Sequence, residues 1–354
     1  MIPVSVCIIT KNEAGHLEQC LEALRPFPFE IVVVDTGSTD RSKEIAQRYT
    51  DKVYDFEWID DFSAAKNFCV SHASHNTILS LDTDEFVRHV DWDALQTILE
   101  GNSRNVGTIE MKNYFDTRDG QRYEICRLER IFDRRYYHFQ NPIHEMIMPI
   151  GRTRDSSYGT LYDAPISVDH VGYLGSEDKL EKKAKRNLEL LGQELEKDPD
   201  NPYLYFQIAQ CHLLMRDHKR ACDYFEKAIK LNPPPAEDYT RMLVNNYGNS
   251  LIEIERPVQA VRLLSFYEYY ENNVDYLCMI GLTYMMIGQP LRALPEFIKA
   301  LSAPTRDSVD RAVPSYYVGY LYEFFGKTEI AKTHYRNCGD YPPALEALER
   351  LTPP

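Results

Sequence analysis

The first 81 residues alternate short apolar runs with helical patterns, and this alternation constrains the fold more than any other feature. The runs 4–9 and 30–34 are almost continuous and rich in β-branched residues, as in parallel strands that are buried on both faces. Between them, the segment 15–24 has helical spacing and is followed by Pro26 and Pro28, which stop a helix. Because parallel strands need a crossover connection, the pattern predicts an open α/β sheet.

The same alternation continues beyond Asp35. Turn residues lead into a helix that Ser38, Thr39 or Asp40 is expected to cap, and then come a strand at 52–56, a helix at 61–73 and a strand at 77–81. Strand-like pieces at 107–115, 122–133 and 165–171 predict a second, acceptor-facing half of the sheet. Ligands of such sheets bind beyond the carboxyl ends of the strands, so the site is expected there.

The chain changes character near residue 175 and is helical in pattern after residue 177. A small residue there precedes an alanine by twelve positions, and a bulky residue follows four positions later. This happens in four sets: Ala209/Ala221/Phe225, Gly248/Ala260/Leu264, Gly281/Ala293/Phe297 and Gly319/Ala331/Tyr335. The spacing is typical of tetratricopeptide (TPR) repeats, in which paired helices approach closely. We predict an α/β domain at 1–175 and a TPR-like domain at 176–354; helical hairpins without a binding groove are the alternative.

Composition excludes several classes of protein. The formal charge of −14 and the isoelectric point near 5.2 argue against a nucleic-acid binder, which needs a basic surface. The sequence shows neither a signal-peptide pattern at its start nor an apolar run of transmembrane length. Its eight cysteines include no CxxC pair, so we expect a reduced, cytoplasmic protein without a zinc site or a disulfide framework.

Polar side chains follow three of the predicted strands. They are Thr10, Lys11, Asn12 and Glu13 after the first strand, Asp35, Gly37 and Ser38 after the second, and Asp82 and Asp84 after the fourth. Three such strand ends on one rim predict a nucleotide site, yet neither GxGxxG nor GxxxxGK[ST] is present to hold phosphates. A divalent cation held by Asp82 and Asp84 would offset the diphosphate charge instead. If the strand continues, alternation places these two carboxylates on one face and Glu85 on the other.

Four motifs in order carry a family resemblance. "TKNE", "IVVVDTGSTD", "DFSAAKN" and "LDTDE", followed by "NPIHE" and "DHVGY", resemble family 2 glycosyltransferases of the GT-A fold over residues 3–175, with "LDTDE" as the DxD motif. The resemblance implies a UDP-sugar donor and either Mn²⁺ or Mg²⁺. It implies these ligand contacts: Thr10 and Glu13 in the nucleotide pocket, Asp35 and Lys66 at the uridine, Asp82 at the ribose, and Asp84 and His170 at the metal. The family usually has Arg where this chain has Lys66.

The resemblance also implies an inverting mechanism, in which one carboxylate takes the acceptor's proton. Glu145 is the candidate base and His144 the second candidate. Structural alternatives stay open for several of these residues. Asp35 would then cap a helix, Glu13 would complement a helix N-terminus, His144 and Glu145 would form a solvated loop pair, and His170 would be a structural histidine.

Three functions fit this organisation. The first is a transferase whose TPR domain presents a peptide or protein acceptor, similar to the peptide glycosyltransferases that modify Cys or Ser in bacteriocin precursors; a Thr acceptor also fits. The second is a transferase for a cell-envelope glycan whose repeats serve assembly, for example as a homodimer. The third is a TPR scaffold with an inactive transferase domain. Superhelical repeat grooves commonly bind extended or helical segments, which favours the peptide acceptor.

Overall fold

A computed structural model describes residues 2–117, 120–151, 160–174, 177–304 and 311–351. The chain divides into two compact units, residues 1–180 and 181–354. The domain limits that we derived from the sequence, 1–175 and 176–354, stay a prediction.

The first unit contains the predicted open sheet. Its first half consists of four parallel strands, β1 (Val4–Thr10), β2 (Glu30–Asp35), β3 (Val53–Asp55) and β4 (Thr77–Leu81), in the order β3-β2-β1-β4. The crossover helices are α1 (Ala14–Leu24), α2 (Ser42–Gln47) and α3 (Phe62–Ser71). The alternating pattern of the first 81 residues therefore predicted the type of these elements and their succession along the chain, and the α/β prediction is confirmed.

The second half continues the same sheet beyond β4. The remaining elements of the unit are β5 (Glu85–Val90), α4 (Trp92–Gly101), β6 (Val106–Thr117), β7 (Gly120–Asp133), β8 (Tyr137–Gln140), β9 (Met146–Pro149) and β10 (Leu161–Tyr173). The complete order is β3-β2-β1-β4-β7-β6-β10-β5, in which β7 runs antiparallel to β4 and to β6 while β10 runs parallel to β6. β8 and β9 form a separate antiparallel pair.

Both faces of the sheet are covered. On one face Val4, Val6 and Ile8 of β1 pack with residues of α1 and α4, and on the other face Cys7 packs with residues of α3, β8 and β9. Successive side chains of a strand alternate between faces, so a strand covered on both sides must be apolar throughout. This is the physical reason for the continuous apolar runs in the sequence.

The predicted cap of α2 is wrong. The helix begins at Ser42, and the residue before it, Arg41, makes no capping hydrogen bond with its side chain. Asp40 instead accepts hydrogen bonds from the backbone N–H and the hydroxyl of Ser42. Ser38 is used elsewhere, because its hydroxyl accepts a hydrogen bond from the backbone N–H of Asn12. Ser38 thus joins two loops, whereas Asp40 bonds the N–H of the first helical residue without occupying the N-cap position.

The second part of the chain is helical within its described residues. Its elements are α5 (Glu177–Lys197), α6 (Pro202–Leu214), α7 (His218–Lys230), α8 (Asp238–Glu253), α9 (Pro257–Ala260), α10 (Tyr267–Tyr270), α11 (Val274–Met286), α12 (Pro290–Ser302), α13 (Ala312–Phe324), α14 (Thr328–Arg336) and α15 (Pro342–Leu351), and a 3₁₀ helix, Val261–Phe266, joins α9 to α10. The pairs α6/α7, α11/α12 and α13/α14 pack as helical hairpins. The TPR-like prediction is confirmed.

Close contact between paired helices explains the small residues of the repeat. A Cβ on Gly281 would lie 2.7 Å from the ring of Phe297, and one on Gly319 would lie 2.8 Å from the ring of Tyr335. Both rings are completely buried. The bulky residue sixteen positions after each glycine therefore occupies the space that a side chain would need.

The second repeat departs from the pattern. Its second helix changes after Ala260 from α9 to the 3₁₀ helix, which has 3.0 residues per turn. The next residue on the same helical face as Ala260 is therefore Leu263, three positions later. Leu263 lies in the core and is 1 % exposed, whereas Leu264, which the pattern indicated, is only partly buried. Gly248 correspondingly packs against Met279 of the next repeat.

Two further observations concern the chain as a whole. Across the described ranges, no helix combines the length and the apolar character that crossing a bilayer requires. The eight cysteines are all free thiols, and six of them are buried. A cytoplasmic location stays a prediction.

Candidate active site

Two buried oxygen atoms lie side by side at the carboxyl ends of β1 and β2. Thr10 and Asp35 are paired across the two strands and are 3 % exposed each. Among the described residues, the Thr10 hydroxyl and the Asp35 Oδ2 atom have no hydrogen-bond partner. Because buried polar atoms are costly when unpaired, this pair indicates a place for a ligand with hydrogen-bond donors.

Asp35 does not cap a helix. Its Oδ1 atom accepts hydrogen bonds from the backbone N–H groups of Gly37 (2.9 Å) and Ser38 (2.8 Å), which closes the turn after β2. Helix α2 begins only at Ser42. The turn uses one carboxylate oxygen and leaves Oδ2 available for a ligand. Contact of Asp35 with a uridine base stays a prediction.

Glu13 precedes α1 at the same rim. Its side chain makes no capping hydrogen bond and instead contacts His16 at 2.8 Å, while its backbone N–H donates to the Ser42 hydroxyl. The neighbouring Asn12 side chain accepts hydrogen bonds from the backbone N–H groups of Thr39 and Asp40. These contacts join the loops after β1 and β2, and the expected part of Glu13 in nucleotide binding stays a prediction.

The expectation that a strand continues through Asp82 and Asp84 is wrong. Strand β4 ends at Leu81, residues 82–84 form a turn, and β5 begins at Glu85. The Asp82 N–H donates to the Glu85 carboxylate (3.1 Å), and the Glu85 N–H donates to the Asp82 carbonyl oxygen (3.2 Å). Strand alternation does not apply within a turn, so the two aspartates have different partners.

Asp82 lies in the middle of five charged side chains of alternating sign. Lys66 Nζ lies 3.0 Å from Asp82 Oδ1 and 2.5 Å from Glu145 Oε1. On the other side, Arg130 Nη2 lies 3.5 Å from Asp82 Oδ2 and 2.5 Å from Glu85 Oε1. The order Glu145–Lys66–Asp82–Arg130–Glu85 gives every charge an opposite neighbour, which buried charges require.

The five alternating charges shift each other's pKa values. Burial opposes ionisation of Asp82, but Lys66 and Arg130 outweigh it and hold the pKa of this carboxyl well below its usual range. Burial also works against the charge on Lys66, yet Asp82 and Glu145 raise the pKa of its ammonium group above the usual value. Asp82 and Lys66 are therefore both charged at neutral pH.

Sequence reasoning missed Arg130 and underestimated Glu85. Glu85 is 1 % exposed, and burial raises its pKa against the opposing effect of Arg130. Glu85 supports its neighbour Asp82 through Arg130 and through the turn hydrogen bonds. Arg130 lies in a strand with other charged residues, and nothing local in the sequence distinguishes it.

Asp84 turns towards His170 instead. Its Oδ2 atom lies 3.6 Å from His170 Nε2. Two atoms that each bind one ion at about 2.1 Å are at most roughly 4 Å apart, so the separation of Asp84 and His170 lets both reach one cation. Gly172 packs against both groups, and a Cβ there would collide with them.

No third protein ligand completes this site within the part of the chain that the structure describes. Mg²⁺ and similar ions commonly take one or two carboxylates together with substrate phosphates and water. The two side chains therefore fit a cation that is shared with a phosphorylated ligand better than a closed structural site. The assignment of Asp84 and His170 as metal ligands stays a prediction.

One face of α3 holds the segment 139–145, which carries Glu145. The Ser63 hydroxyl donates to a backbone carbonyl of this segment at 2.6 Å, and the Asn67 amide makes two backbone hydrogen bonds with it, of 2.8 and 2.9 Å. Positions 63, 66 and 67 have the i, i+3, i+4 spacing that places side chains on one helical face. The "DFSAAKN" motif therefore brings Glu145 close to the end of β4, with Lys66 between Glu145 and Asp82.

His144 directly precedes Glu145 in a strained position. Its φ angle of +53° lies in the left-handed region, which residues other than glycine rarely adopt. Strain of this kind costs about 1–3 kcal/mol and is found preferentially at functional sites. The roles of Glu145 and His144 as first and second candidate base stay predictions.

Comparison with known families agrees with this geometry. Residues 5–158 match the description "Glycosyl transferase family 2", and residues 202–235 match "Tetratricopeptide repeat". The first match covers the sheet except for strand β10, which carries His170 and Gly172, and the second covers the hairpin of α6 and α7.

Several curated proteins are similar to this chain. A TPR repeat-containing protein of Synechococcus elongatus is 28 % identical over 315 residues, which are 83 % of this chain and 76 % of that protein. The SPbeta prophage-derived glycosyltransferase SunS of Bacillus subtilis is 27 % identical over 232 residues, 64 % of this chain and 53 % of SunS. The lipopolysaccharide core biosynthesis glycosyltransferase LpsC of Rhizobium meliloti is 26 % identical over 178 residues, 48 % of this chain and 66 % of LpsC. The chain thus spans about half the length of SunS.

Among solved structures, the TPR protein YrrB aligns with 48 % of this chain and 84 % of its own at a TM-score of 0.41 and 22 % identity.

Proposed function

We propose that this chain, which matches glycosyl transferase family 2 over residues 5–158 and a tetratricopeptide repeat over residues 202–235, transfers a sugar from a UDP-sugar to a side chain of a peptide. The acceptor is a Cys, Ser or Thr residue, and the reaction inverts the configuration at the sugar carbon. The observation that carries the donor site is the pair of buried, unpartnered oxygen atoms of Thr10 and Asp35.

The donor is held along the rim of the sheet. Asp35 accepts a hydrogen bond from the single N–H group of the uracil base, and the Thr10 hydroxyl, which can donate as well as accept, bonds to the nucleotide beside it. Glu13 lines the same pocket, and Lys66 faces the uridine. Asp82, which is charged and 40 % exposed, accepts from the ribose hydroxyls. Asp84 and His170 are the residues that would hold Mn²⁺ or Mg²⁺. When bound, the cation supplies compensation for the negative charge of the diphosphate leaving group.

Glu145 takes the acceptor's proton. Lys66 contacts its Oε1 atom, so Oε2 is the atom that receives the proton. The acceptor sulfur or oxygen forms a bond to the sugar carbon while the bond from that carbon to the phosphate oxygen breaks, and UDP departs. The hydrogen bonds from α3 keep the carboxylate at the donor rim, which orients the base before the substrate arrives.

The TPR repeats support the peptide acceptor. Stacked helical hairpins commonly bind extended or helical segments, and a Cys, Ser or Thr side chain of such a segment offers the nucleophile. A second acceptor class, an envelope glycan, is favoured by the similarity to LpsC, although that similarity covers only 48 % of the chain.

A UDP-release assay tests the proposal. The full-length protein is incubated with MnCl₂ and a panel of UDP-sugars, alone and with reduced peptides that contain Cys, Ser or Thr. We expect one donor to be consumed faster with peptide, a mass increase of one sugar on that peptide, and no transfer by Glu145→Gln. Stimulation by a lipopolysaccharide core oligosaccharide but by no peptide would favour the glycan acceptor. No UDP release from any donor under any condition would overturn the proposal.

A further inference from the structure

His170 has a defined partner on the side of its ring that faces away from Asp84. Its Nδ1 atom lies 2.7 Å from the Oδ1 atom of Asn113, which is paired with it across β6 and β10. The Nε2 atom on the other side of the ring lies 3.6 Å from Asp84. The two ring nitrogens of His170 therefore have different environments.

A third residue orients the Asn113 amide. Its NH₂ group donates to Cys126 Sγ of β7 at 3.1 Å, so its carbonyl oxygen is the atom that faces His170. A carbonyl oxygen can only accept a hydrogen bond, so the proton between the two residues must be on His170 Nδ1. In the neutral ring Nε2 then carries a lone pair, the form that binds a metal ion.

We propose that Asn113 is a positioning residue, which holds His170 with its proton on Nδ1 so that Nε2 can bind the cation. This inference rests on the proposed function, because it takes His170 as a metal ligand. The tautomer of a histidine ligand is set by the hydrogen bond that its other nitrogen makes, and losing that partner typically weakens metal binding by about 10- to 100-fold.

Two variants separate this role from simple packing. Asn113→Leu has a similar size but offers no acceptor, so His170 becomes free to carry its proton on Nε2. Asn113→Asp keeps an oxygen opposite Nδ1 and restores the acceptor. Asn105→Leu is the matched control, because Asn105 directly precedes β6 and its amide bonds only to Asn102 among the described residues.

The first measurement is the tautomer of His170 in the metal-free, full-length protein, read by nuclear magnetic resonance of ¹⁵N-labelled histidine and assigned with His170→Gln. We expect Nδ1–H in the wild type, in Asn113→Asp and in Asn105→Leu, and a shift towards Nε2–H in Asn113→Leu. An unchanged tautomer in Asn113→Leu would overturn the proposal.

The second measurement is Mn²⁺ affinity in the presence of UDP, read by electron paramagnetic resonance. We expect about 10- to 100-fold weaker binding in Asn113→Leu and a change of only a few-fold in Asn113→Asp. Equal losses in both variants would overturn the proposal, because they would show a packing effect. If the wild type binds no Mn²⁺ while the tautomer still depends on Asn113, the metal assignment of the proposed function fails and the positioning of the ring stands.

Discussion

Replacing Gly172 by Ala tests whether Asp84 and His170 form a metal site. A Cβ at this position would lie 2.6 Å from His170 Nε2 and closer still to Asp84 Oδ2, whereas ordinary contacts of a Cβ begin at 3.4 Å. The imidazole would therefore have to retreat by about 0.8 Å, the difference between those two distances. Metal–ligand distances tolerate deviations of only about 0.2 Å, so the displaced ring would lose the ion. Loss of a residue that only supports a metal ligand typically weakens binding by about 10- to 100-fold. Because Gly172→Ala displaces the ligand itself, we expect Mn²⁺ affinity to fall at least about a hundredfold.

The assay is calorimetric titration of Mn²⁺ in the presence of UDP, with thermal unfolding measured on the same samples. Crowding the strand should cost about 1–3 kcal/mol of unfolding free energy, so the variant is expected to fold at 25 °C. Gly15→Ala is the matched control, since a Cβ there meets nothing within 4 Å and Gly15 lies in helix α1. Wild-type affinity for Mn²⁺ in a folded Gly172→Ala protein would refute the reasoning.

Three further predictions concern the donor pocket, the five alternating charges around Asp82, and the helical repeats. Asp35→Asn keeps the turn after β2 but places an NH₂ group where the Oδ2 atom can accept a hydrogen bond. A hydrogen bond to a charged group contributes about 1.5–3 kcal/mol, so UDP affinity measured by calorimetry should fall about ten- to a hundredfold. Unchanged affinity would exclude Asp35 from the pocket. Arg130→Met leaves Glu85 buried without a counterion and should lower the unfolding free energy measured in urea by about 3–5 kcal/mol. Adding Glu85→Gln to this variant should recover much of the lost stability. A double variant that is as unstable as Arg130→Met would argue against this ion pair. Gly281→Ala forces a methyl group against a buried ring and should lower the unfolding free energy, measured by thermal unfolding, by about 1–3 kcal/mol. Gly192 has open space around it, so Gly192→Ala should not destabilise the protein. Equal stability of the two variants would contradict the packing argument.

The elements of the fold were predictable because each depends on residues close together in the chain. An apolar run of six residues indicates a strand that is buried on both faces. A helix after such a strand indicates a crossover to a parallel neighbouring strand. The repeat is encoded in the same way, since Gly281 and Phe297 are sixteen positions apart and lie within one hairpin. Even the exception at Leu263 follows from the local change to a 3₁₀ helix.

The candidate site was predictable only in part. The strand-end motifs indicated Thr10, Asp35, Asp82 and Asp84, and the structure places them at the rim where the sheet was expected to bind its ligand. Sequence periodicity failed at Asp84, because the strand ends at Leu81 and a turn directs the two aspartates to different partners. The end of a strand depends on the hydrogen bonds available to its backbone, and these are made by other parts of the chain.

By itself, the sequence determined the open sheet, the helical repeats and the polar rim, since local periodicity and strand order are sufficient for these. Only the tertiary structure decided which charges are neighbours. Arg130 reaches Glu85 across 45 positions, Asn113 reaches His170 across 57, and Lys66 joins Asp82 to Glu145. Such contacts depend on the register of strands that are distant in sequence, and a shift of one residue would move each side chain to the opposite face of the sheet.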